Sequence, residues 1–227
     1  MGKIFDALEK SKEKATNSVV IKNPSKLAVD KKKSSKMFAD NSSGIQHLSI
    51  PKSEICYDSS KIDKNLITLL DPQSFEAEQF RMLRTNLLFP VSGKPPRSIM
   101  VTSAVPSEGK SFVAANLAIS IAQSIQEHVL LIDCDIRLPS IHKQFGFGNV
   151  PGLSECLSNG TPLSSIILKT KVDKLSIVQG GKSPHNPSEL LSSQQMSKLL
   201  KETRDRYSDR YIVIDSPPPK LTAETNA

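Results

Sequence analysis

One stretch constrains the fold more than any other. An apolar run, Ser98-Ile99-Met100-Val101-Thr102, leads into Ser103-Ala104-Val105-Pro106-Ser107-Glu108-Gly109-Lys110-Ser111. A helical pattern, Phe112 to Ala122, comes directly after it. Strand, tight turn, Gly-Lys-Ser and helix make the context of a phosphate-binding loop. Backbone N–H groups at the turn and helix start face phosphate oxygens, and the helix dipole favours the same anion. Lys110 reaches the outer phosphates and the Ser111 hydroxyl can ligate Mg²⁺. The first glycine position of the strict pattern holds Ser103. A Ser/Gly turn before a core helix would share some of these features, but the flanking elements favour phosphate.

Two later strand patterns end in carboxylates. His128-Val129-Leu130-Leu131-Ile132-Asp133-Cys134-Asp135 is an apolar run suited to a parallel strand buried on both faces. Its two aspartates fall where open α/β sheets place ligands. A capped loop would also use Asp-x-Asp. Arg210-Tyr211-Ile212-Val213-Ile214-Asp215 ends in aspartate and then Ser216-Pro217-Pro218, the layout of a second metal-binding strand. A buried strand closed by a proline turn has the same look. The expectation is an α/β fold of the P-loop NTPase type, with a mostly parallel sheet flanked by helices.

The other elements are read from periodicity. Asp71-Pro72-Gln73-Ser74 starts a helix from about Phe75 to Phe89. It carries Phe80, Leu83 and Leu87 on one side and Glu78, Arg81 and Arg84 in a stripe mostly on the other. A spacing of three lets Glu78 pair with Arg81 within the helix; the stripe also suits a contact between subunits. Short helices are expected at 139–145, 153–157 and 187–191, and a longer one at 193–207. A strand is expected at 174–179.

Residues 1–64 differ from the rest. They hold thirteen lysines against eight acids and carry most of the net charge of +7. Gly2 to Lys14 has the pattern of a short amphipathic helix, either an anchor for a partner or membrane surface or a frayed helix without a role. Residues 15–64 are rich in Ser, Lys and Asn and read as a linker with little means to bury a core. A solvated tail explains this charge more simply than a nucleic-acid or lipid contact, so no nucleic-acid partner is expected. The domain proper is then 65–227. Three widely spaced cysteines, Cys56, Cys134 and Cys156, make no disulfide framework, and the four histidines lack metal-ligand spacing. A cytoplasmic location is expected, since neither a membrane span nor a secretory signal is visible.

With three motifs in this order, the chain resembles the bacterial tyrosine kinases of the capsule and exopolysaccharide type, most of all the cytoplasmic autokinases that work beside a separate membrane protein. The likeness covers roughly residues 66–227. Residues 102–111 look like that family's Walker A, 130–140 like its Walker A′ and 212–218 like its Walker B. Glu78-x-x-Arg81-x-x-Arg84 is similar to its subunit-contact motif. Ser103 is common at its position there, whereas Ser107 stands where the family usually has glycine. The related partition and site-selection ATPases, nucleotide-dependent switches, carry an early loop lysine that is missing here.

The resemblance implies an ATP- and Mg²⁺-dependent protein-tyrosine autokinase in polysaccharide production. Ser103, Pro106, Ser107, Glu108, Gly109, Lys110, Ser111 and Phe112 would bind the nucleotide. Ser111, Asp135 and Asp215 would organise Mg²⁺, and Lys110, Asp133 and Asp135 would be catalytic, with Asp133 the candidate for orienting or deprotonating the tyrosine hydroxyl. Partners would be a membrane-embedded polysaccharide co-polymerase that activates the kinase at the inner face of the membrane, tyrosine-containing proteins, and other copies in a ring. The competing readings are a nucleotide-dependent ATPase switch of the partition or site-selection type and a non-catalytic nucleotide-binding remnant. The family's further strands and tyrosine-rich tail have no counterpart after Asp215; only Tyr57, Tyr207 and Tyr211 are present. The domain is therefore expected to be C-terminally truncated, with an unpaired sheet edge.

Overall fold

In the computed structural model, residues 57–206 and 210–218 are described. The expected helix at Gly2–Lys14, most of the 15–64 linker, and Tyr207 lie outside them. The elements in chain order are β1 (Tyr57–Ile62), α1 (Ile67–Leu70), α2 (Phe75–Leu88), β2 (Ser98–Val101), α3 (Lys110–Ala122), β3 (His128–Asp133), α4 (Ile141–Gln144) and β4 (Phe145–Phe147). Then come α5 (Leu153–Asn159), α6 (Leu163–Ile166), β5 (Ile167–Lys169), β6 (Leu175–Val178), α7 (Pro187–Leu191), α8 (Gln194–Arg206) and β7 (Arg210–Asp215).

The main sheet has the order β2-β7-β3-β6-β5. Its first four strands are parallel, and β5 closes one side antiparallel to β6. Successive residues of β3 face opposite sides, as pleating requires. Val129 and Leu131 pack with α2, α3 and α4, whereas Leu130 and Ile132 pack with α5, α7 and α8. All four are fully buried. Burial at about 1.5–3 kcal/mol per large aliphatic side chain makes this strand the centre of a three-layer α/β/α core. Among the described residues β2 has one strand neighbour, β7, and its Met100 is 57% exposed.

The structure adds elements that the sequence reading omits. Tyr57–Ile62, assigned to the linker from composition, is strand β1 and pairs antiparallel with β4. Leu66 beyond it is fully buried. The short α6–β5 segment is likewise new.

Polar contacts join the helices on the α3 face. Ser74 caps α2 by accepting from the Ala77 N–H, and Glu76 and Glu78 suit the positive end of its dipole. The buried Asn116 of α3 accepts from the Thr68 N–H at 3.0 Å and donates to the carbonyls of Asn65 and Phe112. It fastens α1 to the helix that begins at the phosphate-binding loop. Arg84 of α2 donates to the Ser120 carbonyl of α3 at 2.8 Å.

Candidate active site

The carboxyl ends of β2, β7 and β3 lie side by side, because β7 pairs with both neighbours in parallel register. Val101 is level with Asp215, and Asp215 with Asp133. The loop between β2 and α3 therefore starts beside both strand-end aspartates. Ser216 seals the junction, its N–H and its hydroxyl both donating to the Val101 carbonyl.

The loop is built for phosphate. Gly109 stands at the start of α3 with φ +88°, a left-handed conformation that glycine adopts without strain. It offers no side chain to cap the helix, so the first-turn N–H groups have no side-chain cap. Ser107 is also left-handed, at φ +65°. That geometry costs a residue with a Cβ about 1–2 kcal/mol, which accounts for a glycine preference at this position. Glu108 folds back over the loop, its carboxylate accepting from the N–H groups of Ala104 at 2.8 Å and Val105 at 3.1 Å. Ser103 donates to the Val105 carbonyl. In this conformation both side chains shape the loop. Pro106 is exposed on it. Phe112 turns toward α2, meeting Phe80 edge to face at 5.7 Å, so its contribution toward a phosphate is its backbone N–H.

Lys110 forms an ion pair with Asp135, Nζ to Oδ2 at 2.9 Å, with only 13% and 10% of the two side chains exposed. Burial works against the ammonium, but the Asp135 contact and the nearby charges of Asp215 and Asp133 outweigh it and raise its pKa. Lys110 is therefore a fixed cation at the carboxyl ends of the strands. Asp133 is fully buried. Its Oδ1 accepts from the Asp135 N–H, and its Oδ2 from the N–H groups of Ser140 and Ile141, all within 3.1 Å. Those bonds hold the 134–141 loop in place. Burial and the neighbouring Asp215 push its pKa up to about 8, against the amides that pull it down. With no exposed surface and three amide bonds, Asp133 is not placed to take a proton from a substrate in this conformation. Between the two aspartates, burial pushes the Cys134 thiol up and keeps it unreactive.

Asp215 is also fully buried, yet neither carboxylate oxygen has a hydrogen bond of acceptable geometry. Burial raises its pKa to about 6, while nearby Ser111 and Lys110 favour the charged form. Two orphaned carboxylate oxygens close to a hydroxyl and a lysine are an arrangement that a hard divalent cation would complete. Among the described residues no group of three or more His, Cys, Asp or Glu is placed to hold a metal alone. That fits a cation held by one or two carboxylates with phosphate and water supplying the rest. Ser111, Asp135 and Asp215 are the residues that would hold it. The expected site residues from both loops and β7 are thus brought together. Glu78, Arg81 and Arg84 lie apart on α2. Arg81 pairs with Glu78 and donates to the Pro72 carbonyl, so part of that stripe serves its own helix.

Comparison with known proteins agrees with this geometry. No family model matches the chain. The tyrosine-protein kinase YwqD of Bacillus subtilis is 38% identical over 159 residues, covering 70% of this chain and 66% of YwqD. The tyrosine-protein kinase wzc of Salmonella typhimurium is 37% identical over 162 residues, 71% of this chain and 22% of wzc. Among solved structures, the chimerical protein CapA2B2 superposes with a TM-score of 0.64 at 36% identity, covering 72% of this chain and 71% of that one. The kinase domain of Escherichia coli tyrosine kinase ETK gives 0.67 at 32%, covering 77% and 67%. The chain belongs to the bacterial tyrosine kinase family. It spans just under two thirds of the Bacillus relative's length and about a fifth of the Salmonella one. No helix among its described residues is long and apolar enough to cross a membrane.

Proposed function

We propose that this bacterial tyrosine kinase homologue is an ATP- and Mg²⁺-dependent protein-tyrosine kinase that transfers the γ-phosphate to tyrosines of other copies of itself and of protein substrates. The setting is capsule or exopolysaccharide production. The kinase would sit at the inner face of the membrane on a polysaccharide co-polymerase, in a ring whose contacts include Glu78, Arg81 and Arg84. The observation that carries the reading is the pairing of the buried Lys110–Asp135 ion pair with the orphaned Asp215 carboxylate at one end of the sheet.

Phosphoryl transfer needs positioning and charge neutralisation more than covalent chemistry. Lys110 and the N–H groups of the loop and first turn of α3 hold the phosphates. Ser111, Asp135 and Asp215 hold Mg²⁺, which when bound neutralises charge on the phosphates. Asp133 positions Asp135 through the loop that its three amide bonds fix. Asp135, with 10% of its side chain exposed, is the better placed to orient the tyrosine hydroxyl. The test is an anti-phosphotyrosine blot of the purified chain with Mg-ATP and a tyrosine-rich peptide. Strong labelling by the natural sequence and none by Lys110→Met is expected. Equal labelling in both would overturn the proposal.

A further inference from the structure

A cavity of about 680 Å³ opens beside the 134–141 loop. Arg137, Leu138, Pro139 and Ser140 form one wall, starting two residues beyond Asp135. Val150, Pro151 and Glu155 form another, and Gln179, Gly181, Lys182 and Ser183 contribute a third. The walls are packed without slack. A Cβ on Gly180 would lie 2.7 Å from the Pro139 side chain, so only glycine lets the β6 end approach the loop. Gln179 is buried and donates to the Val150 carbonyl, which ties the last two walls together.

The lining has a consistent chemistry. Arg137, Lys143 and Lys182 are cationic, and Lys143 and Lys182 are exposed at the surface. The single acid, Glu155, is already engaged: its carboxylate accepts from the N–H groups of Gly152 and Lys182 and from the Ser154 hydroxyl. His142 also lines the cavity and is 95% buried, with no hydrogen bond of good geometry on either ring nitrogen. Asn149 is near enough to favour its charged form, though burial and Lys143 oppose that more strongly. A buried imidazole whose ring nitrogens lack a hydrogen bond of good geometry, in the wall of a cationic cavity, can donate to an incoming acceptor. Leu138 adds an apolar rim at 74% exposure, with Val150 and Pro151 opposite.

We infer that this cavity binds an acidic peptide segment in extended form, its carboxylates meeting His142, Lys143 and Lys182 and an apolar or aromatic side chain lying on Leu138 and Val150. The volume falls in the range of sites that take several groups of a ligand, larger than one carboxylate needs. Because the wall begins two residues from Asp135, a peptide seated here carries its neighbouring residues toward the Lys110–Asp135 pair. The cavity thus selects acceptor tyrosines with acidic neighbours. The identity of the segment as an acceptor rests on the kinase reading; the binding itself does not.

The test uses the full chain and a short fluorescein-labelled peptide with glutamates on both sides of one tyrosine, read by anisotropy. A control peptide carries glutamines in place of the glutamates. Binding of a fluorescent ADP analogue is measured in parallel. The glutamine peptide should bind at least about tenfold more weakly, as should the acidic peptide to Lys143→Glu/Lys182→Glu, with ADP-analogue affinity unchanged. His142→Leu should weaken the acidic peptide alone. Equal affinity of the natural chain and the charge-reversed variant would overturn the inference. So would displacement of the peptide by low millimolar inorganic phosphate, which would mark a small-anion site. Peptide binding as expected without ADP-analogue binding would support the cavity and overturn the kinase reading.

Discussion

Asp133 and Asp215 sit opposite each other on adjacent parallel strands, both fully buried, and their surroundings could hardly differ more. Asp133 has its carboxylate filled by three backbone N–H groups, and Asp215 has both oxygens unfilled. The reason lies in the residues just beyond each strand. After β3 the chain turns back over the strand end and offers the amides of Asp135, Ser140 and Ile141. After β7 it runs into Ser216-Pro217-Pro218, and prolines have no N–H to give. One aspartate is therefore held by the backbone, and its neighbour keeps two carboxylate oxygens without a hydrogen bond of good geometry. Identical residue types at identical strand positions acquire distinct tasks from the number of N–H groups in the next few residues.

The contrast can be broken by substitution. Asp215→Asn should lower phosphotransfer by about 100-fold or more. It should also stabilise the cation-free fold by roughly 1–3 kcal/mol, because a buried carboxylate without a hydrogen bond of good geometry is replaced by a neutral amide. A blot and a thermal melt would read both, and a lower melting point would count against an orphaned carboxylate. Asp133→Ala should behave in the opposite sense. It strands three N–H groups and should cost about 3 kcal/mol or more, a drop of roughly 6–12 °C in Tm for a chain of this size. A variant that melts like the natural sequence would show that the loop does not depend on Asp133.

The pH response sharpens the same difference. The folded-state pKa of Asp215 is raised from 3.8 to about 6, so the folded chain binds the extra proton. Its contribution to stability is present below pH 3.8 and is lost as pH rises through about 6. Metal-free melting points should fall over that interval, and more steeply for the natural chain than for Asp215→Asn. Mg²⁺-dependent nucleotide binding should strengthen over the same interval, since proton and cation compete for one carboxylate. Parallel slopes in the two chains would refute the assignment. The smallest effect concerns the loop alone. Ser107→Gly relieves the strain at φ +65° but adds freedom to the unfolded chain, for a net gain of about 1 kcal/mol or less in a thermal melt.

Much of this was legible in the sequence, for identifiable reasons. β3 and β7 show as unbroken apolar runs because both faces of the sheet are covered, and Gly109-Lys110-Ser111 has a spacing that the chemistry dictates. β1 was not legible: Asp58, Ser59, Ser60 and Lys61 lie between its apolar ends, and it exists because β4 is there to pair with it. Asn116 looks like any polar residue in a helix until the fold brings Thr68 and Asn65 to it. The helical spacing showed the Glu78–Arg81 pair, but the bond from Arg84 to Ser120 joins separate elements that no local pattern relates. The sequence placed Asp133 and Asp215 at the site. The prolines after Asp215 are visible in the sequence, but the turn that brings the amides of Asp135, Ser140 and Ile141 onto Asp133 is not.

Arg84 grips α3 near its last turn, at Ser120, while Lys110 occupies its first. The helix between them is 13 residues long, a rigid rod of about 20 Å. A partner that seizes α2 therefore holds one end of a lever whose other end carries the phosphate-binding lysine.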